Sequence, residues 1–205
     1  MCQTLLIHLK DPQKALKEMA RILKLGGIIM CKEPDNASNM IMRHFSTLPE
    51  LDLDDWLFVS KIELLRHQGR INLGKGDHGI GNKVASMLYE LGFVKIDCRI
   101  NDGATCVVPP YETEKQKAEL GFEEENLTEW DHPDAYFSYQ VVCDEVISGG
   151  GSKADIERYY KLMREKKERE DILKREQVAA NKFMKCGCGL FYVTKAQKPL
   201  ENENT

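Results

Sequence analysis

The chain is 205 residues long, 42% hydrophobic and 30% charged, the make-up of an ordinary globular domain. Its 29 basic and 33 acidic residues leave a net charge of −4, which argues against nucleic acid as a partner, since such domains are usually basic. No apolar run approaches the ~18 residues of a membrane span, residues 1–10 carry no basic signal-peptide region, and the seven scattered cysteines read as reduced thiols, so the expectation is a cytoplasmic chain with no membrane partner.

In chain order, the apolar run Cys2 to Leu9 predicts a buried strand that starts with no polar lead-in. Asp11 is placed to cap a helix with Pro12 in its first turn, and Ala15, Leu16, Met19, Ile22 and Leu23 recur at helical spacing behind it. Gly26-Gly27 supplies a turn of positive φ, and Ile28 to Cys31 is a short apolar run of the kind buried in a parallel sheet. Strand, helix and strand together make a βαβ unit. Asn39 to Phe45 suggests a short helix, and Trp56 to Leu65 a further one. A glycine-dense loop, residues 74–81, precedes a helix capped by Asn82 and running to Leu91 with Val84, Met87, Leu88 and Leu91 inward. Strands follow at Phe93 to Ile100 and Ala104 to Val108. Residues 111–140 are polar and acidic. Ser152 with Asp155 predicts a capping box opening a long helix from Lys153 to Phe183, whose charge-rich 164–176 stretch suggests a solvated face held by ion pairs. Cys186 and Cys188 alternate and suggest core packing, being too closely spaced for a structural zinc site. Leu190 to Thr194 is the last strand.

Leu6-Ile7-His8-Leu9-Lys10-Asp11-Pro12, followed by Ala15-Leu16, Glu18 and Arg21-Ile22-Leu23-Lys24-Leu25-Gly26-Gly27, resembles the fourth strand, next helix and fifth strand of class I S-adenosylmethionine-dependent methyltransferases. The family pattern reads L-x-H-L-x-D-P … A-L-x-E-x-x-R-x-L-K-P-G-G, with Leu25 here in place of its Pro. Helix 82–91 and the strands at 93–100 and 190–194 are similar to the last helix and the antiparallel sixth and seventh strands. The resemblance implies an α/β fold: a Rossmann-like methyltransferase sheet truncated to its C-terminal half, with a long helical insertion before the last strand. The glycine-rich cofactor turn and ribose-binding acid of the family would then belong to roughly 90–100 residues that are not upstream of Met1. The expected organisation is a half-domain of residues 1–101 and 186–197, an insertion of residues 103–185 and a flexible tail of residues 198–205.

The resemblance implies S-adenosyl-L-methionine as cofactor and a small-molecule methyl acceptor. By position, Gln3 and Thr4 would face the methionine end of the cofactor together with His8, and Glu33 would face the acceptor; His8 and Glu33 are the candidate catalytic residues. A packing role for His8, and simple exposure for Glu33, are the alternatives. The loop Gly74-x-Gly76-x-x-Gly79 matches the dinucleotide fingerprint, follows a candidate strand at Arg70 to Leu73 and precedes Asp97 by about twenty residues. Three readings stand: a cofactor turn in a permuted order, a substrate loop presenting Lys75 and His78 over the carboxyl ends of the strands, or a surface turn. No metal site is expected. Val108-Pro109-Pro110-Tyr111 lacks the Asn or Asp of the Asn/Asp-Pro-Pro-Tyr motif of DNA amino-methyltransferases. A non-catalytic, methyltransferase-like binding or assembly module is the alternative function. In either case the exposed edge of the fourth strand invites self-association.

Overall fold

The computed structural model describes residues 1–125 and 138–200; within 121–125 only the helical backbone is described. Part of the 103–185 insertion and the end of the 198–205 tail therefore lie outside the described residues. The elements in chain order are β1 (Cys2–Gln3), a 3₁₀ turn at Leu6–His8, α1 (Pro12–Ile22), β2 (Ile28–Pro34), α2 (Asn36–Ile41), β3 (Phe45–Ser46), α3 (Leu53–Asn72), a 3₁₀ turn at Ile80–Lys83, α4 (Val84–Glu90), β4 (Val94–Ile100), β5 (Thr105–Val107), α5 (Glu114–Glu125), α6 (Tyr139–Ser148), α7 (Lys153–Ala179), β6 (Lys185–Gly187) and β7 (Phe191–Gln197). The chain divides into two compact units, residues 1–40, 70–102 and 189–205 in one and residues 41–69 and 103–188 in the other.

The first unit is built on a mixed four-stranded sheet in the order β1-β2-β7-β4. β1 and β2 are parallel, with Cys2 beside Cys31, while β7 runs antiparallel to both β2 and β4. This is a mixed α/β sheet of the expected kind. Its core joins Leu6, Ile7, Leu16, Ile29, Cys31, Ile80, Val84, Leu88, Phe93 and Ala196. The predicted cap is present: the Asp11 carboxylate accepts the Lys14 N–H at 3.0 Å, with Pro12 in the first turn. Leu16 is buried while Ile22 stands 72% exposed, so the inward stripe of α1 is narrower than the apolar spacing suggests.

Several expected boundaries move, each for a local reason. Residues 4–9 are not strand, because Thr4 takes φ +50° and the chain then coils into the 3₁₀ turn that buries Leu6 and Ile7. The short helix starts at Asn36 rather than Asn39, because Asp35 caps it through the Ser38 N–H at 3.1 Å. Residues 70–72 are the end of α3 and not a strand. Asn82 is not the cap of α4; its side-chain amide donates to Asp35 at 3.1 Å.

The second unit packs α3, α6 and α7 around Ile62, Val142, Val146, Ile156 and Tyr159. Two glycines let the backbones close in: a Cβ on Gly69 would lie 1.7 Å from the Glu145 carbonyl oxygen, and one on Gly149 1.9 Å from that of Leu65. Arg66 and Glu145 are fully buried here. The guanidinium reaches Glu63 at 3.1 Å and Glu145 at 3.2 Å, and the Tyr159 hydroxyl donates to Glu63. Burial, then the Glu63 charge, pushes the Tyr159 phenol well above its usual range. The capping box of α7 is formed, with Ser152 accepting the Asp155 N–H at 3.1 Å and Asp155 accepting the Ser152 N–H at 3.0 Å. Lys166–Glu170 at 2.6 Å and Lys167–Asp171 at 3.2 Å lace its charged stretch as the i,i+4 spacing predicts. The helix stops at Ala179, short of Phe183, as Asn181 turns left-handed. A small antiparallel sheet, β3-β6-β5, completes the unit. Cys186 and Cys188 are exposed, which overturns the core-packing expectation.

Candidate functional site

Parallel strands in an open sheet leave a crevice outside their carboxyl ends, where ligands bind. In the first unit these are the ends of β1 and β2. Gln3, the last residue of β1, and Thr4 just past it are exposed, and Thr4 holds its left-handed turn by donating its N–H to the Lys32 carbonyl at 2.9 Å. A β-branched residue at positive φ is a strained placement of the kind found at functional sites.

Glu33 lies within β2 and is 0% exposed, so exposure does not explain it. Its carboxylate accepts the Leu5 N–H at 3.0 Å and the Ile7 N–H at 3.4 Å. It thereby satisfies amides at the start of the 3₁₀ turn that carries His8, as a capping side chain does for a helix.

The glycine loop folds onto this edge. Gly76, at φ +95°, approaches so closely that a Cβ would sit 2.0 Å from the Ile7 carbonyl oxygen, and one on Gly81 would sit 2.6 Å from that of Glu33. The Asn36 N–H donates to the His78 carbonyl at 2.7 Å. Asp77 accepts the Gly79 N–H at 2.8 Å and pairs with Lys83 at 2.6 Å. These contacts bring His78 beside His8, ring centroids 6.0 Å apart and edge to face. His8 is exposed, His78 is buried, and Lys75 projects from the loop exposed.

The loop is not a dinucleotide cradle. A helix, not a strand, precedes it, and Gly76 and Gly81 are needed for close approach to the protein's own backbone. Asp97 lies within β4, exposed and paired with Arg99 at 3.0 Å, which leaves it no place as a ribose-binding acid of that loop.

Asp35 and Asn82 join the site without having been singled out as its members. Asp35, 2% exposed, accepts from the Ser38 hydroxyl at 2.8 Å and from Asn82 at 3.1 Å, and so clasps the end of β2 to the loop. The available signal was Asp35 three residues before Ser38, a capping spacing at a strand end. Among the described residues no group of three or more His, Cys, Asp or Glu side chains is arranged to hold a metal ion. No helix among them is long and apolar enough to cross a membrane. The second unit has clefts of its own, of about 330 and 230 Å³, which share Glu50, Leu51 and Lys166.

A family model described as "Methyltransferase domain" matches residues 1–31, the segment from β1 through α1 into β2. The match bears out the resemblance of this segment to a class I S-adenosylmethionine-dependent methyltransferase domain. No curated protein matches the chain.

Proposed function

We propose that the chain takes part in S-adenosyl-L-methionine-dependent methyl transfer to a small-molecule acceptor in the cytoplasm. Residues 1–101 and 186–197 would contribute the C-terminal half of a Rossmann-like methyltransferase sheet, and residues 103–185 a helical insertion. What supports this reading is the methyltransferase-domain match over residues 1–31 together with the glycine loop, which closes on the Ile7 backbone just past β1 and sets His78 beside His8.

The cofactor fits this edge at its amino-acid end. An exposed amide on Gln3 and a hydroxyl on Thr4 are suited to an ammonium and a carboxylate. When bound, it supplies an electrophilic methyl group on a sulfonium, so the protein's task is chiefly to position the acceptor. Glu33 and Asp35 are positioning residues: one fixes the turn that carries His8, the other the loop that carries Lys75 and His78. His8 is the exposed base for an acceptor that must lose a proton, a role worth about 10²–10⁴-fold.

The second reading is a non-catalytic methyltransferase-like binding or assembly module. It is favoured by the commitment of both buried carboxylates, Glu33 and Asp35, to holding backbone and side chains. Calorimetric titration of the whole chain with S-adenosylmethionine separates the two. Saturable heat, weakened by Gln3→Ala together with Thr4→Ala, is the expected result. No heat at millimolar cofactor would remove the enzymatic reading for this chain and leave the binding module.

A further inference from the structure

The small sheet of the second unit sets two thiols face to face. β5 and β6 are antiparallel, and their register places Cys106 directly opposite Cys186, between the pairs Thr105–Gly187 and Val107–Lys185. Directly opposed residues share one face of a sheet, with Cα atoms about 4.5–5.5 Å apart. A disulfide spans about 4.4–6.8 Å between Cα atoms, so this register brings the pair within bridging distance. Desolvation first, and the neighbouring Cys186 thiol second, raise the Cys106 thiol above its usual value. Both cysteines are exposed to solution reagents.

The pairing is held from within. Val107, next to Cys106, is buried with Tyr111 and Phe183, and the Tyr111 hydroxyl donates to the Phe183 carbonyl at 3.0 Å. On the far side of β6, the Thr47 N–H donates to the Met184 carbonyl at 2.9 Å. A slip of one residue would turn Val107 out of its core, so the thiols are fixed opposite one another. Cys2 and Cys31 also face each other across β1 and β2, but both are buried, and the neighbouring Cys2 thiol and then burial push the Cys31 thiol up. That pair is closed to a reagent in solution.

The geometry points to Cys106 and Cys186 as a redox-active dithiol, a modification site that closes to a disulfide by exchange with a small disulfide of the glutathione class. One cysteine, as thiolate, attacks the small disulfide and releases one small thiolate, leaving a mixed disulfide. The opposed cysteine loses its proton and attacks the protein-side sulfur, which releases the second small thiol. Two protein thiols are oxidised to one disulfide, and one small disulfide is reduced to two thiols. The new bond would join the two ends of the segment that holds α5, α6 and α7, constraining its unfolded state.

The test treats the folded, reduced full chain with oxidised glutathione, quenches in acid, alkylates the remaining thiols and maps the linkages by peptide mass spectrometry. The expected product joins Cys106 to Cys186, leaves the other five cysteines alkylated and melts at a higher temperature than the reduced chain. Fragmentation is needed because Cys186 and Cys188 share one tryptic peptide. A Cys186–Cys188 link, or stable glutathione adducts with no link to Cys106, would overturn the proposal. Phenylarsine oxide, which bridges adjacent thiols, gives an independent reading. One equivalent should bind the reduced chain, resist a monothiol, release with a dithiol, and be lost in both Cys106→Ser and Cys186→Ser but kept in Cys98→Ser. Undiminished binding in either of the first two variants would count against the pair.

Discussion

Glu33 shows how one side chain's role depends on groups far from it in sequence. A charged residue near a strand end reads naturally as exposed, yet this one is wholly buried and bonded to amides 26 and 28 residues earlier. Hydropathy cannot signal such a partner, because the N–H groups of Leu5 and Ile7 come into reach only once the chain abandons the strand at Thr4. Glu33→Ala would strip those amides of their acceptor, and a buried donor left unsatisfied costs about 1–3 kcal/mol. Glu33→Gln keeps one acceptor oxygen and should recover part of the loss. Urea denaturation measures both. A Glu33→Ala chain as stable as the parent would show that the acid does not hold the 3₁₀ turn, and would return it to the candidates for direct contact with an acceptor. His8 was recognisable from its place in the family pattern, whereas its pairing with His78 depends on Gly76 meeting the Ile7 backbone, which no local pattern encodes.

Elements with local signals were legible, and those held by long-range contacts were not. Asp11-Pro12 and Ser152 with Asp155 fix helix starts through side chains within three residues, so the sequence carries the whole device. The α7 cap has a definite pH dependence. The Ser152 hydroxyl first, and Lys61 second, hold the Asp155 carboxyl below its ordinary value of 3.8. A carboxyl depressed in the folded state stabilises above its unfolded pKa and loses that support as pH falls through the folded value. The cap should therefore be complete at neutral pH and fade only below about pH 4. Following the Asp155 carboxyl carbon by NMR checks this; Ser152→Ala should move its titration upward and cost about 1 kcal/mol. Titration at or above 3.8 in the parent chain would refute the account. The close approach of α3 and α6 was invisible by contrast, since a lone Gly69 in a helical stretch looks merely like a weak point. Gly69→Ala would drive a methyl into the Glu145 carbonyl, a backbone atom that cannot swing aside, and should destabilise by at least the ~1–3 kcal/mol typical of overpacking. Gly103→Ala, which meets nothing within 4 Å, is the matched control and should leave the unfolding midpoint nearly unchanged.

At the scale of the whole molecule, sheet order decides what the chain can offer a partner. β2, β7 and β4 are joined through long antiparallel ladders, but among the described residues β1 pairs only with β2 and ends the sheet. Alternation along a parallel strand sends every second residue's backbone groups toward the same neighbour. Thr4 donates to Lys32 in β2, so the N–H and C=O of Gln3 face the open edge. An unpaired edge beside exposed Met1 and Leu5 is a template for another strand. Its brevity limits the hydrogen bonds on offer, and the resulting association should be weak and concentration-dependent. It should also change little with salt, because it rests on backbone groups and apolar contact rather than on the net charge of −4. Sedimentation equilibrium across a range of concentrations and two ionic strengths measures it. Gln3→Pro removes the outward donor at a position where an edge strand tolerates proline, and should shift the population to monomer without loss of cooperative unfolding. A parent chain that stays monomeric at every concentration would show that this edge is already too short to recruit a second strand. Association that survives Gln3→Pro would place the contact elsewhere on the molecule.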